Sequence, residues 1–129
     1  MFPDALPNIK LATELYQKTS NDSSLSTTYY LTGLSYLELK NYKQAEIFLQ
    51  QSLKIGKLLS NNQREYECYV ALARLYTNQK NFVAAEQLFD KVMTKWDSII
   101  DPYGYCMALI PYSKLLIETN KKEAAFINL

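Results

Sequence analysis

Acid–base, nucleophilic and metal chemistry in proteins lean on histidine, and this chain of 129 residues contains none. Its absence removes the usual general base, the Ser-His and Cys-His nucleophile pairs and the commonest metal ligand. The closest carboxylate groupings are Glu65 with Glu67 and Asp97 with Asp101. Solvated helix ends account for these better than a paired acid and base. Cys68 and Cys106 lie far apart, outside any CxxC spacing and within apolar helical patterns, which predicts two reduced, half-buried thiols and no disulfide or redox pair. The three glycines are isolated and form no phosphate loop. The expectation is a protein without catalysis and without cofactor or metal.

Bulk properties exclude further classes. A composition of 48% hydrophobic and 21% charged residues is that of an ordinary globular protein. The net charge is +1, and Lys40, Lys43, Lys54, Lys57 and Lys91 are interspersed with Glu38, Glu46 and Asp90. No basic stripe is available to neutralise a row of phosphates, so direct nucleic-acid binding by this segment is not expected. No apolar run approaches a membrane span, and the first residues, with Pro3, Asp4 and Pro7, do not resemble a signal peptide. Asn21-Asp22-Ser23 fits an N-glycosylation acceptor, but nothing else suggests secretion. The expected location is cytoplasmic.

What organises the chain is a period. Gly33 falls opposite Ala73 and Ser113; Ala45 falls opposite Ala5, Ala85 and Ala125; each step is 40 residues. Bulky positions keep the same register: Tyr36, Tyr76 and Leu116; Tyr42 and Phe82; Ile9, Leu49, Phe89 and Leu129. Small residues returning to fixed places at such a period mark stacked helix pairs.

In chain order, residues 5–18 place Leu6, Ile9, Ala12 or Thr13, and Tyr16 on one helical face, with Pro7 tolerable in the first turn. This helix stands in the register of a second helix without its partner. After the polar break 19–24, Ser24 or Ser26 is expected to cap a helix over 25–39, with Leu25, Tyr29, Gly33, Tyr36 and Leu37 at helical spacing. Lys40-Asn41 is a tight turn into a helix over 42–59 that turns Ala45, Phe48, Leu49, Ser52, Leu53 and Gly56 inward. So short a connection makes the two helices antiparallel.

The pattern returns as a helix over 66–77, a turn at Gln79-Lys80-Asn81, and a helix over 82–96 with Ala85, Leu88, Phe89, Val92 and Trp96 on its apolar face. Asp101-Pro102 is a cap followed by proline at the first helical position, opening a helix over 102–119 that Pro111 should kink near Ala108. A turn at Asn120-Lys121 and a last helix from Glu123 complete the reading. The organisation expected is one repeat domain over 1–129: a partial repeat 1–20, repeats over 25–60 and 65–99, and an incomplete repeat 102–129, as a fragment of a larger protein. Both end helices would leave apolar faces bare, which favours homo-oligomer formation through the ends.

These residues resemble the tetratricopeptide repeat family. Tyr29, Gly33, Tyr36, Tyr42, Ala45, Leu49 and Leu53 meet its alternation of large and small positions in one unit, and Tyr69, Leu72, Ala73, Tyr76, Phe82, Ala85 and Phe89 meet it in the next. In the third, Ser113, Leu116 and Ala125 fit but Lys122 stands where an aromatic is expected. The resemblance implies an all-α, right-handed solenoid of stacked antiparallel helix pairs that binds a protein or peptide. The usual repeat is about 34 residues. The longer period resembles that of the peptide-sensing regulators of Gram-positive bacteria, the Rap, NprR, PlcR and Rgg group, and also that of other signalling scaffolds.

By that resemblance the first helix of each pair lines the concave face and carries the ligand contacts. The positions implied are Thr27, Tyr30, Leu34, Leu37 and Glu38; then Glu67, Val70, Arg74, Thr77 and Asn78; then Met107, Ile110 and Lys114. Arg74, Asn78 and Lys114 would hold a peptide backbone or carboxylate. The family's clamp for a carboxyl terminus uses lysine, asparagine and arginine at first-helix places that here hold Leu31, Ala71 and Pro111. That clamp is absent, and an extended peptide or a partner helix is the expected ligand.

Overall fold

A computed structural model of the chain describes residues 7–14, 21–96 and 101–127, and every regular element among them is an α-helix. Helix α1 is seen over residues 7–14. It is followed by α2 (Asp22–Glu38), α3 (Tyr42–Leu58), α4 (Asn62–Asn78), α5 (Phe82–Lys95) and α6 (Pro102–Ile127). Ala5, Leu6, Tyr16, Asp97 and Leu129, and part of the polar break, lie outside the described residues, as does the side chain of Ala125.

One local device explains the boundaries. Asn21, Asn41, Asn61, Asn81 and Asp101 recur every 20 residues, and each accepts a hydrogen bond on its side chain from the amide three residues on: Ser24 at 3.1 Å, Gln44 at 3.4 Å, Arg64 at 3.0 Å, Ala84 at 3.4 Å and Gly104 at 2.9 Å. A short polar side chain at the N-cap satisfies one of the orphan amides of the first turn. Just before three of these caps, Lys40, Ser60 and Lys80 adopt left-handed backbone with φ of 62°, 53° and 65°. The amides of Lys40 and Asn41 bond back to Leu37 and Tyr36, those of Ser60 and Asn61 to Lys57 and Gly56, and those of Lys80 and Asn81 to Thr77 and Tyr76. This is the paired closure of a Schellman motif. Asn41, Asn61 and Asn81 each end one helix and start the next.

Three expectations are corrected by that device. Asn21, not Ser24 or Ser26, caps α2, so α2 begins at Asp22. Helix α4 begins at Asn62, a turn before Tyr66, because Asn61 caps it. No turn occurs at Asn120-Lys121: α6 runs unbroken to Ile127. Lys121 occupies the next place in the cap series, and an ammonium group cannot accept the amide hydrogen bond that a cap requires. Helix α6 also continues through Pro111, which offers no N–H to the Met107 carbonyl.

Contacts divide the chain within α4, into Met1–Ala71 and Leu72–Leu129. In the first unit, α2 and α3 pack antiparallel along Tyr29, Gly33 and Leu37 on one side and Ala45, Leu49, Ser52 and Leu53 on the other, all buried. A Cβ on Gly33 would stand 2.7 Å from Leu49 Cγ, so only glycine allows this approach. Phe48 stacks on Tyr36 at 5.6 Å and tilts against Tyr29 at 6.0 Å.

Helix α2 is rich in hydroxyls, and it buries Ser26, Thr28, Thr32 and Ser35. Thr28, Thr32 and Ser35 donate to carbonyls of their own helix, while Ser52 Oγ crosses to the Ser26 carbonyl at 2.7 Å. Their polar atoms are therefore satisfied, which is the condition for burying them.

In the second unit, Ala85, Phe89 and Val92 of α5 are buried, as are Ala108 and Leu115 of α6. Phe89 stacks on Tyr112 at 5.2 Å. Asp101 takes the Trp96 indole N–H at 3.0 Å while capping α6.

Candidate partner-binding face

The first unit brings three of the expected ligand-facing residues together around a fourth that was not expected. Thr27 and Tyr30 lie one turn apart on α2, and Glu67 lies on α4. Between them stands Arg64, whose Nη2 donates to Thr27 Oγ1 at 3.0 Å and whose guanidinium carbon lies 4.7 Å from the centre of the Tyr30 ring. Glu67 Oε2 is 3.7 Å from Arg64 Nη1. The Arg64 side chain is only 14% exposed and that of Glu67 29%, so neither is the freely solvated charge that a helix end suggests. Arg64 falls in the stretch that periodicity assigns to the inter-helix break. The signal that places it on α4 is Asn61, three residues earlier in the cap series.

Leu34 and Val70 are half-buried and Glu38 is exposed, as a lining position requires. Leu37 is not: it is 3% exposed, because it shares the stripe of Tyr29 and Gly33 that faces α3. A ligand on the solvent side of α2 cannot reach it.

In the second unit Arg74 is half-buried, and Asn78, Met107, Ile110 and Lys114 are exposed. Ile110 and Lys114 sit one turn apart on α6. Thr77 donates its hydroxyl to the Ala73 carbonyl at 2.8 Å, which engages it with its own helix.

The thiols differ from expectation. Cys68 is buried and Cys106 exposed. Burial pushes the Cys68 thiol up from 9.0 to about 11, against a hydrogen bond with Ser52 that pulls it down; such a thiol is unreactive at neutral pH. The Tyr112 hydroxyl donates to Asp90 Oδ1 at 2.6 Å, and that bond, with burial and the Asp90 charge adding to it, pushes its ionisation from 10.0 up to about 12. Among the described residues no three His, Cys, Asp or Glu side chains gather as a metal site, and no helix is long and apolar enough to cross a membrane.

Two family models, each described as tetratricopeptide repeat, match the chain over residues 26–55 and 67–96. The first match covers most of α2 and α3, and the second covers most of α4 and all of α5, so each falls on two successive helices joined by a three-residue turn. No curated protein and no solved structure matches the chain. Repeats of this kind are a protein-interaction fold and generally non-catalytic, and protein partners are what they imply. From these matches and the helices that carry them, residues 26–55 and 67–96 are tetratricopeptide repeats.

Proposed function

We propose that this protein is a non-catalytic module that binds an extended peptide segment of a protein partner on the exposed side of its first helices. Tyr30, Leu34, Glu67 and Val70 are the contacts in the first unit, and Arg74, Asn78, Ile110 and Lys114 those in the second. The observation that carries the reading is the grouping of Thr27, Tyr30 and Glu67 about Arg64. It puts an ordered charge and an aromatic ring beside half-buried apolar side chains, the mixture that peptide-binding surfaces present. The period of 40 residues supports a regulatory, peptide-sensing role, with an assembly scaffold as the alternative. The chain is then the interaction part of a larger cytoplasmic protein, its repeats spanning about 25–60 and 65–99 with partial repeats on either side.

Selection of random displayed peptides on the purified chain tests this. Enrichment of a family of sequences, lost with Val70→Glu, is the expected result; enrichment indifferent to Val70→Glu and to Lys114→Glu would move the site off this face. A second reading draws on the exposed row Tyr103, Met107, Ile110 and Ile117 of α6, which supports contact with another copy of the chain. Sedimentation velocity showing a monomer at high concentration would count against it.

A further inference from the structure

We infer that Arg64 is a carboxylate-reading position in the first unit, taking an acidic side chain or a free carboxyl terminus of the bound peptide. The inference rests on the reading of this face as a peptide-binding surface. Arginine carries five N–H donors in a rigid fork that matches a carboxylate, and among the described residues the Arg64 side chain donates one hydrogen bond, to Thr27. Glu67 stands 3.7 Å away, near enough to attract and too far to accept a hydrogen bond. No buried side-chain polar atom among the described residues lacks a partner, so Nε and Nη1 of Arg64, which make no hydrogen bond, are not sealed from solvent.

The fork is also already ordered. Thr27 fixes one end and the Tyr30 ring supports its plane at 4.7 Å, so little side-chain freedom remains to be lost on binding. With 14% of the side chain exposed, its charge is less screened than that of a surface arginine. Tyr30 with Leu34 on α2, and Val70 on α4, offer apolar contact for the residue that carries the carboxylate. Forty residues on, the place of Arg64 is taken by Gly104, so the next first helix does not offer this fork at the equivalent place.

Glu67 is the internal competitor. A ligand carboxylate must displace its weak hold on the guanidinium, which yields a result that a purely structural brace between α2 and α4 does not give. The test follows the Arg64 side-chain N–H resonances of the full chain by NMR during titration with N-acetyl-leucine, N-acetyl-glutamic acid amide and the neutral control N-acetyl-leucinamide. We expect saturable shifts with at least one carboxylate and none with the control; the stronger of the two carboxylates identifies a chain terminus or a side chain as the source. Glu67→Gln should tighten binding several-fold, and Arg64→Lys, which loses the fork but keeps the charge, should weaken it about tenfold. The absence of saturable shifts with either carboxylate, or binding unchanged in Glu67→Gln, overturns the inference. Neither outcome touches the peptide-selection result, so the two readings fail separately.

Discussion

The pair α2–α3 and the pair α5–α6 solve the same packing problem with different residues. Between α2 and α3 the connection is three residues closed by a Schellman motif, and the seam uses small residues: Gly33 against Leu49, and Ser26 exchanging hydrogen bonds with Ser52. Between α5 and α6, Trp96 leaves the helix in extended backbone with ψ of 124°, and Asp101 clasps its indole before α6 starts. The seam there is carried by a large ring contact, Phe89 on Tyr112, with the Asp90 bond at its edge. Small residues permit close backbone approach and fix the crossing, whereas a ring stack fills space and leaves much of α6 bare. Position in the repeat therefore does not dictate the means: Ser113, the counterpart of Gly33, is exposed.

The largest difference should come from emptying each seam. Phe89→Ala removes a fully buried ring and is expected to cost about 3–5 kcal/mol, and Leu49→Ala about 2–5 kcal/mol, both read by denaturant unfolding followed by circular dichroism. Overfilling comes next. Ala85 is fully buried, so Ala85→Leu should cost about 1–3 kcal/mol. The comparison sharpens at equivalent places: Gly33→Ala meets the fully buried Leu49 and should destabilise despite the better helix propensity of alanine, while Ser113→Ala should stay within about 0.5 kcal/mol of the parent. Equal effects at Gly33 and Ser113 would mean that the two seams are alike after all.

Caps give smaller effects that again separate the regions. Asn41→Ala should cost about 1 kcal/mol. Asp101→Ala removes a cap and the indole partner together, and because Trp96 is the single tryptophan, its emission should shift as well.

Ionisation gives the smallest effects. Tyr112 is neutral when it donates to Asp90, so its contribution is complete below its ordinary ionisation at 10.0 and is lost as pH rises through about 12. Near-ultraviolet titration of tyrosinate should show a late tyrosine that Asp90→Asn brings earlier. In parallel, alkylation under native conditions should label Cys106 and reach Cys68 only on unfolding. Early labelling of Cys68 would contradict its burial.

Much of the fold is legible in the sequence because the apolar spacing of Tyr29, Gly33, Leu49 and Phe89 is periodic and the turns are short. The helix starts were misplaced for a definite reason. Apolar periodicity is silent about first turns, which are polar, so Asp22–Ser24 and Asn62–Glu65 read as breaks although the asparagines at steps of 20 mark them. The same silence hid Arg64. Leu37 was misassigned because one face of α2 cannot be told from its neighbour, 100° away, by spacing alone. The meeting of Arg64 with Thr27 joins residues 37 apart in sequence, which no local pattern reports.

The claim that matters most is that the first helices carry the partner. A peptide obtained by selection, titrated calorimetrically into the parent, into Tyr30→Ala with Val70→Ala, and into Ile47→Ala on the exposed side of α3, tests it directly. The expected result is binding weakened more than about tenfold by the first-helix pair, unchanged by Ile47→Ala, with helicity equal in all three. Binding that survives the first-helix substitutions and is lost with Ile47→Ala would contradict the account.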